Sequence, residues 1–243
     1  MYRNIKEYKI KYTDTDAFDN LKYSALLSYM EESACDSADE LGFGYVEIAP
    51  KNIGFVILNW YTELFRPVKL GENLRIATWP LKPKFGMFFR DFELYCGNEK
   101  VGVCTSRWCM VDLKTFAVLP TSAFFSDSDF TNYNTERSVI FNNWKIPLVD
   151  SHEPDAVRKI YLSDYDHYFH VNNTKYADFL LDTFNVGEIK GKFFKRIQVT
   201  YVKQCKIGEK LELFRVCSGD VYIVEGRVDG ELRVQFRVEL NGI

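Results

Sequence analysis

The sequence predicts an α+β fold built as two units in tandem, each a helix followed by an antiparallel sheet. Three observations point there. Hydrophobic periodicity switches from helical to strand-like twice along the 243 residues. The strand-like stretches follow one another too closely for crossover helices, so they pair antiparallel. Two short motifs also recur, in the same order, in both halves.

In chain order, Tyr8 to Tyr12 alternates in the manner of a strand. Ser24 to Leu41 then places Leu27, Met30, Ala34, Ala38 and Leu41 on one helical stripe, with Gly42 as a stop signal. Phe55–Phe65, Leu74–Trp79, Phe88–Tyr95 and Val101–Val111 are rich in aromatic and β-branched residues and read as strands. Residues 120–155, rich in Ser, Asn, Asp and Thr and bounded by Pro120 and Pro154, read as a linker. A second helix is expected over Thr174–Phe184, followed by strands at Phe193–Val202, Lys210–Cys217, Val221–Val228 and Leu232–Leu240. The predicted units are therefore 1–119 and 156–243.

The repeats support a duplication. Val68-Lys-Leu-Gly-Glu-Asn-Leu-Arg-Ile76 matches Cys205-Lys-Ile-Gly-Glu-Lys-Leu-Glu-Leu213, and Thr13-Asp-Thr-Asp16 matches Ser163-Asp-Tyr-Asp166 ahead of each helix. The Asp motifs are 150 positions apart and the Gly-Glu motifs 137, so the first copy holds about thirteen extra residues. We expect these in Gly42 to Ile53.

Composition narrows the function. With 47% hydrophobic residues and 7 Pro the chain is neither disordered nor of low complexity. No apolar run approaches the roughly 18 residues of a membrane span. The net charge of −3 argues against nucleic-acid binding. Six Cys show no metal-type pairing, and no leader-like segment precedes Tyr8, which makes the cytoplasm the expected compartment. No cofactor or metal is called for by any motif.

The chemistry concentrates in Ser163-Asp-Tyr-Asp-His-Tyr-Phe-His-Val-Asn-Asn-Thr-Lys-Tyr176, which holds two of the chain's three His. Asp166 lies four residues before His170, within reach to orient or polarise an imidazole. Asn172, Asn173 and Thr174 suit a helix N-terminus, whose free N–H groups from Val171 to Asn173 could hold an oxygen gaining negative charge. A carboxylate, an imidazole and an N–H cradle suit attack of water on an acyl carbonyl. The same residues would also serve merely to cap a helix beside a solvated loop.

Asp166-x-x-x-His170-Val-Asn-Asn-x-x-Tyr176, followed by Tyr201-x-x-Gln204-Cys205-x-x-Gly208-Glu209, resembles the signature of acyl-acyl carrier protein thioesterases of the plant and bacterial type. The first half is similar too, through Thr15-Asp16, Leu26-x-x-Tyr29-Met30-Glu31-Glu32-x-Ala34, Leu41-Gly42-Phe43-Gly44-Tyr45, Thr78-Trp79-Pro80, Arg90-Asp91-Phe92 and Thr105-Ser106-x-Trp108. The resemblance implies a tandem double hotdog, each unit a long helix wrapped by an antiparallel sheet. It also implies hydrolysis of fatty acyl-acyl carrier protein to free fatty acid in lipid metabolism. The family's catalytic Asp, Asn, His and Glu-Cys pair fall on Asp166, Tyr168, His170, Gln204 and Cys205. Tyr168 replaces the Asn and Gln204 the Glu, and an amide cannot act as a base. If that Glu is the family's only base, this chain is a slow enzyme; if Asp166 carries the role, activity survives.

At the 150-residue offset Asn20 stands for His170 and Lys22 for Asn172, so the first unit is expected to line the acyl pocket rather than form a second active site. Cys205 could act as a nucleophile or be a buried strand residue, the latter reading favoured by the absence of a nearby base. Lys190, Lys192, Lys195 and Arg196 form a candidate docking face for the acidic carrier protein, or a solvated surface. Acyl-CoA hydrolysis and non-catalytic acyl binding are the rival functions. A sheet face or edge left to pair another chain is compatible with a homodimer.

Overall fold

The computed structural model describes residues 2–131 and 133–243. The first half runs β1 (Asn4–Lys9), α1 (Tyr23–Glu40), α2 (Tyr45–Ile48), β2 (Ile53–Leu64), β3 (Asn73–Lys84), β4 (Met87–Cys96) and β5 (Glu99–Asp112). The second repeats it as β6 (Ala156–Lys159), α3 (Lys175–Leu181), α4 (Val186–Ile189), β7 (Lys192–Tyr201), β8 (Lys210–Ser218), β9 (Val221–Val228) and β10 (Glu231–Gly242). This is the double hotdog expected from the sequence.

All ten strands form one antiparallel sheet in the order β1-β3-β4-β5-β2-β7-β10-β9-β8-β6. The order reads the same from either end once each strand is replaced by its repeat. The join is β2 against β7, in register from Asn59↔Thr200 to Glu63↔Arg196. Arg196 braces this seam by ion pairs to Glu63 at 2.8 Å and Glu239 at 3.0 Å. Both long helices lie on one face of the sheet. Leu26, Leu27 and Met30 of α1 and Phe179 and Leu180 of α3 share one core with Trp60, Phe92, Val199 and Phe236. Each such side chain contributes about 1.5–3 kcal/mol by leaving water, so the helices are held by the sheet rather than by their own propensity.

The two helices differ in length, 18 residues for α1 against 7 for α3. The extra residues of the first copy therefore lie mostly in the helix itself and not in Gly42 to Ile53. The apolar stripe of the second helix ends where Leu181 gives way to Asp182, Thr183 and the turn before α4. No helix among the described residues is long and apolar enough to cross a membrane.

The segment between the units crosses the other face of the sheet. Trp79 Nε1 donates to the Glu136 carbonyl at 2.9 Å, Phe141 stacks on Tyr61 at 3.8 Å, and Gln198 Nε2 donates to the Trp144 carbonyl at 2.8 Å. Arg227 of β9 then donates to the Val149 carbonyl. This strap explains why the outer face buries Asp91, Thr105, Gln198 and Glu225. Asp91, Thr105 and Gln198 find partners in the strap instead of water, while Glu225 accepts from Arg227 and Gln235 of the neighbouring strands. Asp91 Oδ2 accepts from Arg137 Nε at 2.9 Å and from the Ser138 N–H at 2.7 Å. Asp91→Ala is expected to cost about 2 kcal/mol, the worth of charge-assisted bonds with a partly exposed partner, read from the denaturation midpoint.

Candidate active site

Asp166 first acts on its own loop. Its Oδ1 accepts the N–H of Tyr168 at 2.9 Å and of His170 at 3.3 Å, while its own N–H donates to the His170 carbonyl at 2.8 Å. Phe169 takes a left-handed φ of 58° to close the turn. Asp164 fixes the entry, accepting the Tyr161 N–H at 2.9 Å, and its carbonyl takes the Asn172 N–H at 2.8 Å. The first unit repeats this construction: Asp16 Oδ1 accepts the N–H groups of Phe18 and Asn20 at 2.8 and 3.0 Å. The two repeated Asp motifs are thus turn-forming devices in both copies, whatever chemistry one copy adds.

The expected pairing of Asp166 with the His170 imidazole differs from what is found. The carboxylate holds the backbone N–H of His170, and the ring leans on Phe116 from the loop after β5, with centroids 5.0 Å apart. His167 and Tyr168 stack on each other at 3.9 Å and face Tyr45 of α2. The loop thereby touches the first unit through Tyr45 and Phe116, while His167, Tyr168 and Phe169 stay exposed. Burial pushes the Tyr168 phenol up, helped by Tyr45, Cys35 and Asp166 nearby.

The expected N–H cradle is smaller than three groups. The Asn172 N–H is committed to Asp164, and Asn172 Oδ1 is taken by the Thr174 N–H and hydroxyl. The Asn173 N–H has no such bond among the described residues. Tyr201 of β7 donates to the Asn173 carbonyl at 3.0 Å and holds that residue in place.

Cys205 and Gln204 are divided. Cys205 is buried in the shared core, its N–H bonded by the Tyr176 hydroxyl at 3.2 Å, and burial pushes its thiol up. A raised thiol is a poor nucleophile. Its repeat partner is Val68, likewise buried. Gln204 is exposed; its carbonyl accepts from Arg233, and its side chain makes no hydrogen bond among the described residues. Tyr165 ties this segment to the Asp166 turn through the Ile207 N–H at 2.9 Å.

One group at the site was not singled out from the sequence. Glu31 of α1 reaches across the α1–α3 contact to Asn173, and its Oε1 is buried without a partner, as is Asn173 Oδ1. Burial pushes its carboxyl up to about 8; the Asn173 amide opposes this and the Asp166 charge adds to it. A readable signal existed: Glu31 follows Met30 and stands four residues after Leu27, at the border of the apolar stripe where a surface Glu is out of place.

The equivalent place in the first unit is filled. Lys69 donates to Asn20 Oδ1 at 2.6 Å and Tyr23, in the position of Asn173, bonds Thr62 at 3.1 Å. The cavity left between Tyr23, Leu26, Phe193 and Ile197 is about 30 Å³, room for about two waters and not for an acyl chain. Of the basic cluster, Lys192 pairs with Asp220 and Arg196 with Glu63 and Glu239, which leaves Lys190 and Lys195 without an ion pair among the described residues.

Two family models match, the acyl-ACP thioesterase N-terminal domain over residues 2–120 and the acyl-ACP thioesterase C-terminal domain over residues 145–238. The chain belongs to the acyl-ACP thioesterase family. It is therefore a thioester hydrolase acting on fatty acyl-ACP. Among solved structures, this thioesterase is similar to an acyl-ACP thioesterase from Bacteroides thetaiotaomicron, with a TM-score of 0.89 and 22% identity over 98% of each chain. It is also similar to the 12:0-ACP thioesterase from Umbellularia californica, with a TM-score of 0.84 and 16% identity over 99% of this chain and 98% of that one. A curated relative, the 1,4-dihydroxy-2-naphthoyl-CoA hydrolase of Prochlorococcus marinus, is 23% identical over 111 residues, 42% of this thioesterase and 72% of the relative.

Two outcomes follow from the site's packing. With its folded-state pKa raised from 4.5 to about 8, Glu31 supports folding fully below 4.5 and loses that support as pH rises through 8. Glu31→Gln is therefore expected to raise Tm, with an advantage over the natural protein that grows across that interval. Cys205→Val, which copies Val68, is expected to keep hydrolysis within about threefold, a volume-conserving change in a core. A loss beyond about a hundredfold in a folded Cys205→Val protein would restore the nucleophile reading.

Proposed function

We propose that this thioesterase cleaves its substrate in the cleft between the Asp166 turn and the first unit, in the cytoplasm, with water as the nucleophile. The observation that carries the reading is the Asp166 turn itself. Oδ1 is spent on the loop, so the carboxylate is held rigidly while Oδ2 makes no hydrogen bond among the described residues. Oδ2 takes a proton from water as the water oxygen bonds to the acyl carbon. The Asn173 N–H, placed by Tyr201, receives the carbonyl oxygen as it gains charge. His170, packed on Phe116, contributes a ring N–H to the same intermediate or to the water. The C–S bond then breaks, releasing the fatty acid and the carrier thiol.

Gln204 and Cys205 support this site from beside it: Cys205 packs under Tyr176, and Gln204 closes the loop edge through its backbone bond to Arg233. Lys190 and Lys195 are the cations proposed to meet the acidic carrier. A CoA ester is the second reading, favoured by the stretch similar to a CoA-ester hydrolase. Hydrolysis of matched acyl-ACP and acyl-CoA panels, graded by chain length, decides between the carriers. Faster turnover of the ACP esters is expected. An absence of turnover together with co-purified fatty acid would instead identify an acyl-binding protein.

Asp166→Asn keeps an acceptor for the two loop N–H groups but cannot take a proton. Asp166→Asn and His170→Ala are each expected to lower turnover at least about tenfold, about 1.4 kcal/mol in barrier. Unchanged turnover in either folded variant sinks this assignment of the site.

A further inference from the structure

In the site as proposed, Asp166 takes a proton from water and His170 gives a ring N–H to the intermediate or the water, and no group has yet been assigned to the leaving sulfur. Gln204 exchanges no proton, and Cys205 lies in the core. An alkyl thiolate leaving in a partly closed cleft needs a proton, because its charge is poorly solvated there.

Glu31 is placed to provide it. It comes from the other unit, on the long helix, and meets the Asp166–Asn173 segment where α1 crosses α3. As a residue it is only partly buried, while its Oε1 lies buried with no hydrogen-bond partner among the described residues. The facing groups are acidic or neutral: Asp166 and Asn173 across the helix contact, Cys35 one turn along α1, and Tyr201 of β7, with Tyr168 and Tyr45 beyond. No Lys or Arg among the described residues holds the carboxyl in its charged form. Two carboxyls with such different surroundings separate into a proton acceptor and a proton donor.

We propose that Glu31 is a catalytic acid of this site, giving its carboxyl proton to the thiolate as the C–S bond breaks, while Asp166 takes a proton from the attacking water. The electron pair of the C–S bond leaves on sulfur and ends as the new S–H bond. The oxygen of water ends in the fatty acid. Transfer of the proton from Asp166 to Glu31 then restores the starting forms. The inference rests on the site proposed above and adds to it a residue from the first unit. Its raised carboxyl pKa, about 8, keeps the acid loaded at neutral pH.

The test compares the full-length protein with Glu31→Gln on two thioesters of one acyl chain, an alkyl pantetheine-type ester and an aryl thioester whose more acidic thiol leaves without help. Glu31→Gln is expected to lower kcat at least about tenfold on the alkyl ester, with KM nearly unchanged, and within about twofold on the aryl ester. The fall in kcat as pH rises through about 8 should vanish in the variant. A merely structural role would reduce both esters alike, and that outcome overturns the inference, as does an unchanged rate on the alkyl ester. Natural protein that hydrolyses neither ACP nor CoA esters overturns the proposed function and this role together. Hydrolysis with an equal or absent defect in Glu31→Gln overturns the role of Glu31 alone.

Discussion

The pairing of β2 with β7 is the constraint on which the rest of this molecule depends. Five residue pairs, from Asn59↔Thr200 to Glu63↔Arg196, turn two five-stranded sheets into one. Because each unit's helix lies on the same face, the pairing also brings α1 and α3 together over a single core. The contact of α1 with α3, which sets Glu31 beside Asn173, is a geometric result of that seam. Arg196 shows how much the seam demands: a residue that looks like free surface charge in the sequence is spent on Glu63 and Glu239.

The outer face poses the complementary problem. A sheet with helices on one side only exposes its other side, and here that side carries Asp91, Thr105, Gln198 and Glu225. The strap from Glu136 to Ser151 covers these groups, giving Asp91, Thr105 and Gln198 carbonyls, N–H groups and Arg137 as partners and holding Arg227, which pairs with Glu225. The strap belongs to the stretch 120–155, whose Ser-, Asn-, Asp- and Thr-rich composition reads as a flexible connection and is equally suited to supplying backbone polar groups to a polar sheet face. Composition alone does not separate these two uses, because the deciding partners lie on strands far away in sequence.

The same distinction separates what was legible in the residues from what was not. Most strand positions along the chain and the duplication could be read, because alternation, turn residues and the Gly-Glu repeats are local signals; the order of strands in the sheet could not. The four-residue edge strand β6 could not, since Ala156–Lys159 is too short for a period and exists through its pairing with β8. The extent of α3 was overread because Phe184 continues the apolar stripe, yet it packs on Phe194 and Tyr222 from outside the helix. At the site, Asp166, His170 and Asn173 stood out because they are close in sequence. The use of Asp166 Oδ1 for its own turn and the contact of His170 with Phe116 depend on three-dimensional closure. Glu31 was missed for the same reason, being 135 residues from Asp166 in the chain.

Duplication ordinarily yields two equivalent halves, and here the copies differ in helix length and in the residues that face each Asp turn. At 1.5 Å per residue, α1 is about 27 Å long and α3 about 10 Å. Glu31 sits in the middle of α1, far enough along to cross the start of α3 and face Asp166. The corresponding position of the second copy, Leu181, is the last residue of α3 and carries no carboxyl. On that side Tyr23 and Lys69 close the space by bonding Thr62 and Asn20. The first copy keeps its turn-forming Asp16 for the loop's own geometry, without an imidazole or a carboxyl from across the helix contact. The duplication thus keeps the Asp turn in both copies, while an imidazole on that turn and a carboxyl on the facing helix occur together only as His170 and Glu31.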